Sequence, residues 1–473
     1  MKLNPYHNTL TRAPKYLTVL LIAACLNACV TKKYATPAVK TDDLYRGQTA
    51  TDSASLAQMP WRNLFTDVKL QALIERGIVE NLDLRQAIER IKIAEAGLQQ
   101  SRLALLPSLQ ADVSVTDAKQ SARAVNFPAG TINLETQTYR AQLGTSWEAD
   151  IWGKLSSAKR SAYASLLQSD AAKRAVQTQL IANIANAYYN LLALDQQYAI
   201  TLKTIDARTK NVSTMKALKE GAVVNGAAVV QAEANLYAAE VTLPDLKRSI
   251  RETENALSVL LGTAPTGIDR SLLADQQVYG NLQTGLPAQL LQNRPDVQAA
   301  EFAFRAAFEN TNVARTYFYP ALTLTAAGGL SSLQLKDFFN NAVFYNLVGG
   351  LTQPIFAKGQ NRARLTTAQA QQQLAFYTFQ QTLLTSGQEV SNALFAYQTA
   401  KEKEGTRAKQ IASLTKAVDF TQELLRYSSA TNYTDVLTSE QSLLAAQLSS
   451  VNDKLQQLQA VVNLYRALGG GTR

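Results

Sequence analysis

From Lys154 to Glu220 the chain runs 67 residues without a glycine or a proline. The stretch is rich in Ala, Leu, Gln and Lys, which lose little freedom in a helix. A single helix of that length spans about 100 Å at 1.5 Å per residue. Leu180, Ile184, Ala187, Leu191, Leu194 and Tyr198 step by 4, 3, 4, 3, 4 along it, a seam of heptad kind. The chain is therefore expected to be built around long paired helices. Residues 221–226 read as a turn, and a second helical segment follows to Gly262, with Pro244 expected to kink or break it. After Pro354 there is no further proline. Residues 360–426 and 435–468 then form a second helix pair around the polar turn at 428–432.

Four other segments alternate with period 2. Residues 108–116 place Leu109, Ala111, Val113 and Val115 on one face and Ser108, Gln110, Asp112, Ser114 and Thr116 on the other. In residues 138–151, Tyr139, Ala141, Leu143, Thr145, Trp147, Ala149 and Ile151 oppose Thr138, Arg140, Gln142, Gly144, Ser146, Glu148 and Asp150. Such alternation is a strand pattern and fits a helix badly. Leu322, Leu324 and Ala326 alternate with Thr323 and Thr325, and Val343, Tyr345, Leu347, Leu351 and Ile355 share a side. A strand that is apolar on one face and polar on the other suits a membrane barrel with a wet lumen or a half-buried soluble sheet. Beyond the N-terminal region no 18-residue apolar run occurs, so no helix is expected to span a bilayer.

The two halves repeat one another. Arg102-x4-Pro107-x-Leu109 matches Arg315-x4-Pro320-x-Leu322, the prolines 213 residues apart. Ile151-Trp-Gly-Lys154 matches Ile355-Phe-Ala-Lys358 at an offset of 204, and Glu233 and Leu236 match Glu440 and Leu443 at 207. The expected organisation is a first repeat over residues 67–262, with strands near 108–117 and 138–151. A linker follows at 263–290. A second repeat covers 291–473, with strands near 321–330 and 343–355. Each repeat reads helix, strand, strand, long helix, turn, helix.

The N-terminus reads as an export signal over residues 1–28. Lys2, Arg12 and Lys15 precede a nine-residue apolar run at 16–24, too short to span a bilayer as a helix. Leu26-Asn27-Ala28-Cys29 resembles the bacterial lipobox. The resemblance implies cleavage before Cys29, an S-diacylglycerol and an N-acyl chain on that residue, and a lipidated segment over 29–66. Val30 follows in place of the aspartate that retains lipoproteins at the inner membrane. Cleavage would take the formal charge from +10 to +7. No Lys/Arg block of nucleic-acid type is present. The chain's single histidine, His7, lies in the signal. The mature chain therefore has no Ser-His-Asp triad, no Cys-His pair and no zinc site of the usual kind; carboxylate-only or Lys-based chemistry stays open, but no enzyme, metal or dissociable cofactor is expected.

Four strands cannot close a barrel, since membrane barrels start at eight, and an open sheet in lipid leaves costly unpaired backbone groups. Two copies would fill their interior with side chains. Three copies supply twelve strands and room for water, so transport favours a trimer.

With those residues in view, the chain resembles the TolC-like family of outer-membrane efflux channels, in its lipoprotein branch. The motifs that carry the likeness are the lipobox, Trp61-Arg-x-Leu-Phe-x-Asp67, Asn293-Arg-Pro-Asp-Val297, the paired Arg-x4-Pro-x-Leu and Ala467-Leu-Gly-Gly-Gly471. The resemblance implies an α+β membrane protein: a homotrimer with a long antiparallel α-helical barrel in the periplasm and a twelve-stranded transmembrane β-barrel in the bacterial outer membrane, four strands per protomer. It implies a periplasmic adaptor and an inner-membrane pump, usually of the resistance–nodulation–division class, as partners. It also places a gate at the turn of the second helix pair. There Asp435 matches the first acid of the family motif, Thr438 stands where many relatives carry a second, and the turn lacks glycine. Three Asp435 carboxylates on a threefold axis would repel one another and favour cations. Tyr427 and Tyr433 are expected to pack the tip, and Glu440 is the alternative ring acid. The rival functions are a duct for type I protein secretion and a non-channel envelope scaffold.

Overall fold

The computed structural model describes residues 31–41, 43–46, 55–121, 123–124, 134–280, 282, 284–285, 287–427 and 433–472. The signal, Cys29 and the turn at 428–432 lie outside the described residues. The principal helices are α1 (Val68–Glu80), α2 (Leu82–Leu103), α3 (Lys154–Glu220), α4 (Gly226–Glu240), α5 (Thr242–Leu260), α6 (Pro295–Thr316), α7 (Gln360–Tyr427) and α8 (Tyr433–Ala467). The strands are β1 (Ser108–Lys119), β2 (Glu135–Ala149), β3 (Ala321–Ser332) and β4 (Val343–Thr352). No described helix is long and apolar enough to cross a membrane.

The described chain forms two units. The first comprises the described residues of 31–37, Lys92–Gln168 and Glu301–Tyr377. Its centre is an antiparallel sheet in the order β1-β2-β3-β4. The register answers the question that alternation leaves open, because directly paired residues share a face. Ala111 pairs with Leu143, Leu143 with Gly328, and Gly328 with Tyr345. Val113 pairs with Ala141, Ala141 with Leu330, and Leu330 with Val343. The four apolar sets thus form one apolar face, and the other face carries Gln110, Asp112, Ser114, Arg140, Gln142, Ser146, Thr323 and Thr325.

Strand ends differ from the sequence reading by a few residues, for local reasons. β2 stops at Ala149 because Asp150 turns to cap α3, its carboxylate accepting from the Leu155 and Ser156 amides at 2.8 Å each. Gly153, at φ +73°, makes the turn between them. β4 stops at Thr352, and Pro354 has no N–H with which to continue a ladder. As Pro244 leads one to expect, the hairpin helix breaks between α4 and α5, at Val241. Pro244 sits in the first turn of α5, and it has no N–H for the Glu240 carbonyl four residues back, where α4 ends.

In the same unit an extended segment after residue 31 lies along α6. Lys32 and Asn312 exchange two hydrogen bonds of 3.0 and 2.9 Å. The Thr36 hydroxyl donates to Glu301 at 3.0 Å, and the Tyr34 ring meets Phe304 at a tilt and Phe308 edge-on.

The second unit comprises Ala38–Ile91, Ser169–Ala300 and Thr378–Arg473. Its core joins Trp61, Phe65, Leu70, Ile74, Ile184, Tyr188, Leu191, Leu257, Phe379, Leu464 and Tyr465. On α3 the buried stripe is wider than the heptad seam, because Ile181, Tyr188 and Leu192 are buried along with Leu180, Ile184 and Leu191. A helix packed into a core needs a broader apolar arc than a coiled-coil seam.

Three of the motifs that carried the family likeness, those at 61–67, 293–297 and 467–471, are structural joints of this unit. Asp67 caps α1 through the Lys69 amide at 2.9 Å and also accepts from Tyr188, Gln276 and Ser271 at 2.8, 2.8 and 3.1 Å. Burial works to raise its pKa, but those four donors outweigh it and hold the carboxyl below its ordinary value. Arg294 is buried and bridges three helices. It chelates Asp296, donates to Glu389 of α7 at 2.7 Å, and donates to the Ala467 carbonyl that ends α8 at 2.9 Å. The glycine run past α8 fits against the same place: Gly469 has φ +90°, and a side chain there would meet the Asn293 carbonyl.

Candidate functional site: a membrane sheet and a helical tip

Two places in the chain carry the sequence-level case for function. The first is the sheet. Its apolar face is bare in the single chain: Leu109, Val113, Val115, Leu143, Val343, Tyr345, Leu347 and Leu351 are all exposed. A monomer in water does not present so large an apolar patch. β1 and β4 each pair on one side only, so each leaves an open edge of backbone donors and acceptors. The strands have 12, 15, 12 and 10 residues, enough to cross a bilayer when tilted. Aromatic side chains sit where the strands meet the helices. Trp147 donates its indole N–H to the Leu105 carbonyl at 2.9 Å, Trp152 donates to the Pro320 carbonyl at 2.7 Å, and Trp152 stacks on Tyr319. Rings with a polar handle suit a membrane–water boundary.

The second place is the end of the helix pairs in the second unit. Tyr433 opens α8 and is buried among Val212 and Met215 of α3 and Val229 and Ala232 of α4, with Leu437 one turn on. Burial pushes its phenol above the ordinary value, and the Glu440 carboxylate adds to the shift. Tyr427, at the end of α7, is exposed. The two tyrosines proposed for the tip therefore have different surroundings: one is wedged into the first helix pair and the other faces solvent.

Asp435 is exposed in the first turn of α8, where its charge also suits the helix dipole. Thr438 is exposed and donates to the Thr434 carbonyl at 2.8 Å. Glu440 is only partly exposed. It accepts from Asn211 of α3 at 2.6 Å and Gln422 of α7 at 3.0 Å, tying three helices together. It lines a groove of about 660 Å³ shared by α3, α7 and α8. Arg208 and Asn235, which the sequence reading did not single out, lie close by. Arg208 is buried and donates to the Asn235 carbonyl at 2.5 Å. No local pattern marks either residue, because the contact joins two helices across a turn.

A family model described as "Outer membrane efflux protein" matches residues 73–263 and 286–470, which together hold both repeats. The chain belongs to the outer membrane efflux protein family. The toluene efflux pump outer membrane protein TtgC of Pseudomonas putida is 31% identical over 426 residues, covering 89% of this chain and 87% of the relative. A crystal structure of a membrane protein from Pseudomonas aeruginosa superposes with a TM-score of 0.85 at 25% identity, over 93% of this chain and all of the other. The open state of the MtrE outer membrane channel of Neisseria gonorrhoeae gives 0.82 at 26%, over 94% and 98%. This member of the family is a TolC-like outer-membrane efflux channel and not an enzyme. Its fold is that of an α+β channel, and its place is the bacterial outer membrane, with a helical extension into the periplasm. The two-edged sheet and the long helix pairs are the parts of such a channel that one chain can supply.

Proposed function

We propose that three copies of this chain close a twelve-stranded barrel and form the passive exit duct of a tripartite pump for small molecules. The observation that carries this reading is the open sheet: one face is apolar and bare, the other is polar, and both edges are unpaired. Joining β1 of one copy to β4 of the next satisfies both edges, turns the apolar face to lipid and the polar face to water. In this reading a periplasmic adaptor and an inner-membrane pump of the resistance–nodulation–division class deliver the cargo. Toluene, named for one relative, and drugs or metal ions represent its class. Cys29 carries an S-diacylglycerol and an N-acyl chain, and the acyl chains add anchoring at about 0.8 kcal/mol per buried CH₂. The segment pinned on α6 from Lys32 onward holds the chain only three residues downstream of that cysteine.

The tip of the helix pairs is the gate in this reading. Asp435, exposed at the start of α8, lines it; Tyr433 holds α8 against the first helix pair; Tyr427 and Thr438 border it. Glu440 acts as a brace, because two amides already bind its carboxylate. Opening is a shift between two helix packings, biased by a partner that binds the open one more tightly. Purified protein tests the duct. It should run as a heat-modifiable trimer on gels and conduct as single channels in planar bilayers. Trimers that never conduct would support a scaffold instead.

A further inference from the structure

The polar face of the sheet carries three charged side chains, and they have different partners. Glu148 of β2 is neutralised by Lys154, whose ammonium lies 2.9 Å from its carboxylate. Among the described residues, Asp112 of β1 accepts a long 3.4 Å hydrogen bond from Ser114 and makes no ion pair. Arg140 of β2 makes no ion pair among the described residues. Its register neighbours are Ser114 on β1 and Ser331 on β3. Asp112 stands opposite Gln142, two residues along, yet the Arg140 side chain leans the other way. Its guanidinium lies over the ring of Phe344 on β4, 5.3 Å from the centroid. Between those two strands, β3 presents Gly329, which pairs with Gln142 on one side and Phe344 on the other. With no side chain at Gly329, the guanidinium can reach across a whole strand to the ring.

This arrangement has a chemical use. A cation held on an aromatic face keeps its charge and its planar edge of N–H donors. Such a fork matches a carboxylate better than a flexible ammonium does. Phe344 is an aromatic residue on the mainly polar side, and the lean toward it fixes the arginine at the wall.

We propose that Arg140, seated on Phe344, is an oxyanion-binding station in the barrel, selective for organic carboxylates passing along the duct. The inference rests on the proposed closure of the sheet into a shared barrel, which makes three such stations at one level. The preceding carboxylate level, Asp112, then lies nearer the helices by two residues, about 7 Å along the strand. A solute moving outward meets a negative ring and then a positive one.

The test uses trimers of the full chain in planar bilayers. Benzene-1,3,5-tricarboxylate is added on the side of the strand-to-strand connections, so that it enters the barrel from its loop end. The wild-type current should fall as the probe is raised. Arg140→Ala should raise the half-blocking concentration about tenfold or more, the effect expected of losing charge-assisted hydrogen bonds. Arg140→Lys should fall between, and Phe344→Ala should weaken block severalfold. Asp112→Asn should leave block intact or strengthen it. Equal block in wild type and Arg140→Ala trimers of normal conductance overturns the station while the duct stands. Wild-type protein that forms no conducting trimers overturns both.

Discussion

Arg294 offers the sharpest test of how the second unit is held. Its side chain is 5% exposed, and Asp296, Glu389 and the Ala467 carbonyl take four of its hydrogen bonds. Burial alone would lower its pKa; the two carboxylates outweigh that and raise it. Arg294→Ala removes the side chain that bridges α6, α7 and the end of α8. It leaves two partly buried carboxylates facing one another and one backbone carbonyl without its donor. Breaking a buried pair in this way costs about 3–5 kcal/mol, most of it from the uncompensated charge left behind. Arg466 softens the loss, since it reaches Glu389 at 3.1 Å, so the lower end of that range is expected. Glu389→Gln alone should cost about 1 kcal/mol, the scale of one hydrogen bond. The double variant should be less destabilised than the sum, by about 1–3 kcal/mol, because the two side chains share one network. Denaturant unfolding of detergent-purified protein, followed by tryptophan fluorescence, reads these differences. Strict additivity would show that Arg294 and Glu389 do not depend on one another, and the joint would have to be described without them.

Three further outcomes follow from the proposed gate and anchor. Asp435→Asn should lower the cation preference of the channel and weaken block by multivalent cations; unchanged values in conducting trimers would turn the residue away from the lumen. Tyr433→Ala empties a buried site and should cost about 3 kcal/mol or more, and it should increase the closed-state leak conductance if Tyr433 holds α8 in place. Mass spectrometry of the mature N-terminus should find an acylated Cys29, and Cys29→Ala should still leave channels in the membrane; an unmodified peptide that begins before residue 29 would contradict lipidation.

The long helices and the strand faces were legible because both depend on periodic local pattern. The run of helix formers without Gly or Pro from Lys154 to Glu220 reads as one helix, and the alternation over 138–149 as a two-faced strand. Arg140 was visible on the polar side of that alternation, but its partner was not. Phe344 lies two strands away, and pairing register is set by contacts that no short segment contains. The same holds at the tip. Tyr433 was singled out from its place in a motif, yet its burial against Met215 and Val229 depends on the packing of two helix pairs. Pro244 was legible as a breaker, and the helix ends at Glu240, whose carbonyl is the one a proline at 244 cannot bond. The motifs near Asp67, Arg294 and Gly469 were recognisable as words. What they do, which is to tie chain segments hundreds of residues apart, became readable only from the contacts.

The most direct test of the shared barrel is a cysteine scan across its open edges. Within one chain β1 and β4 are separated by two strands, about 14 Å at 4.8 Å per step, and a disulfide needs Cα atoms within about 7 Å. Single cysteines at Leu109, Ala111, Val113 or Val115 are combined in one chain with a cysteine at Val343, Tyr345, Leu347 or Leu351, and the protein is oxidised in membranes. The account predicts that one register links neighbouring chains into a covalent species of three chains and no larger. Oxidation that yields only monomers in every register, or a ladder that stops at two, would contradict a barrel built from three open sheets.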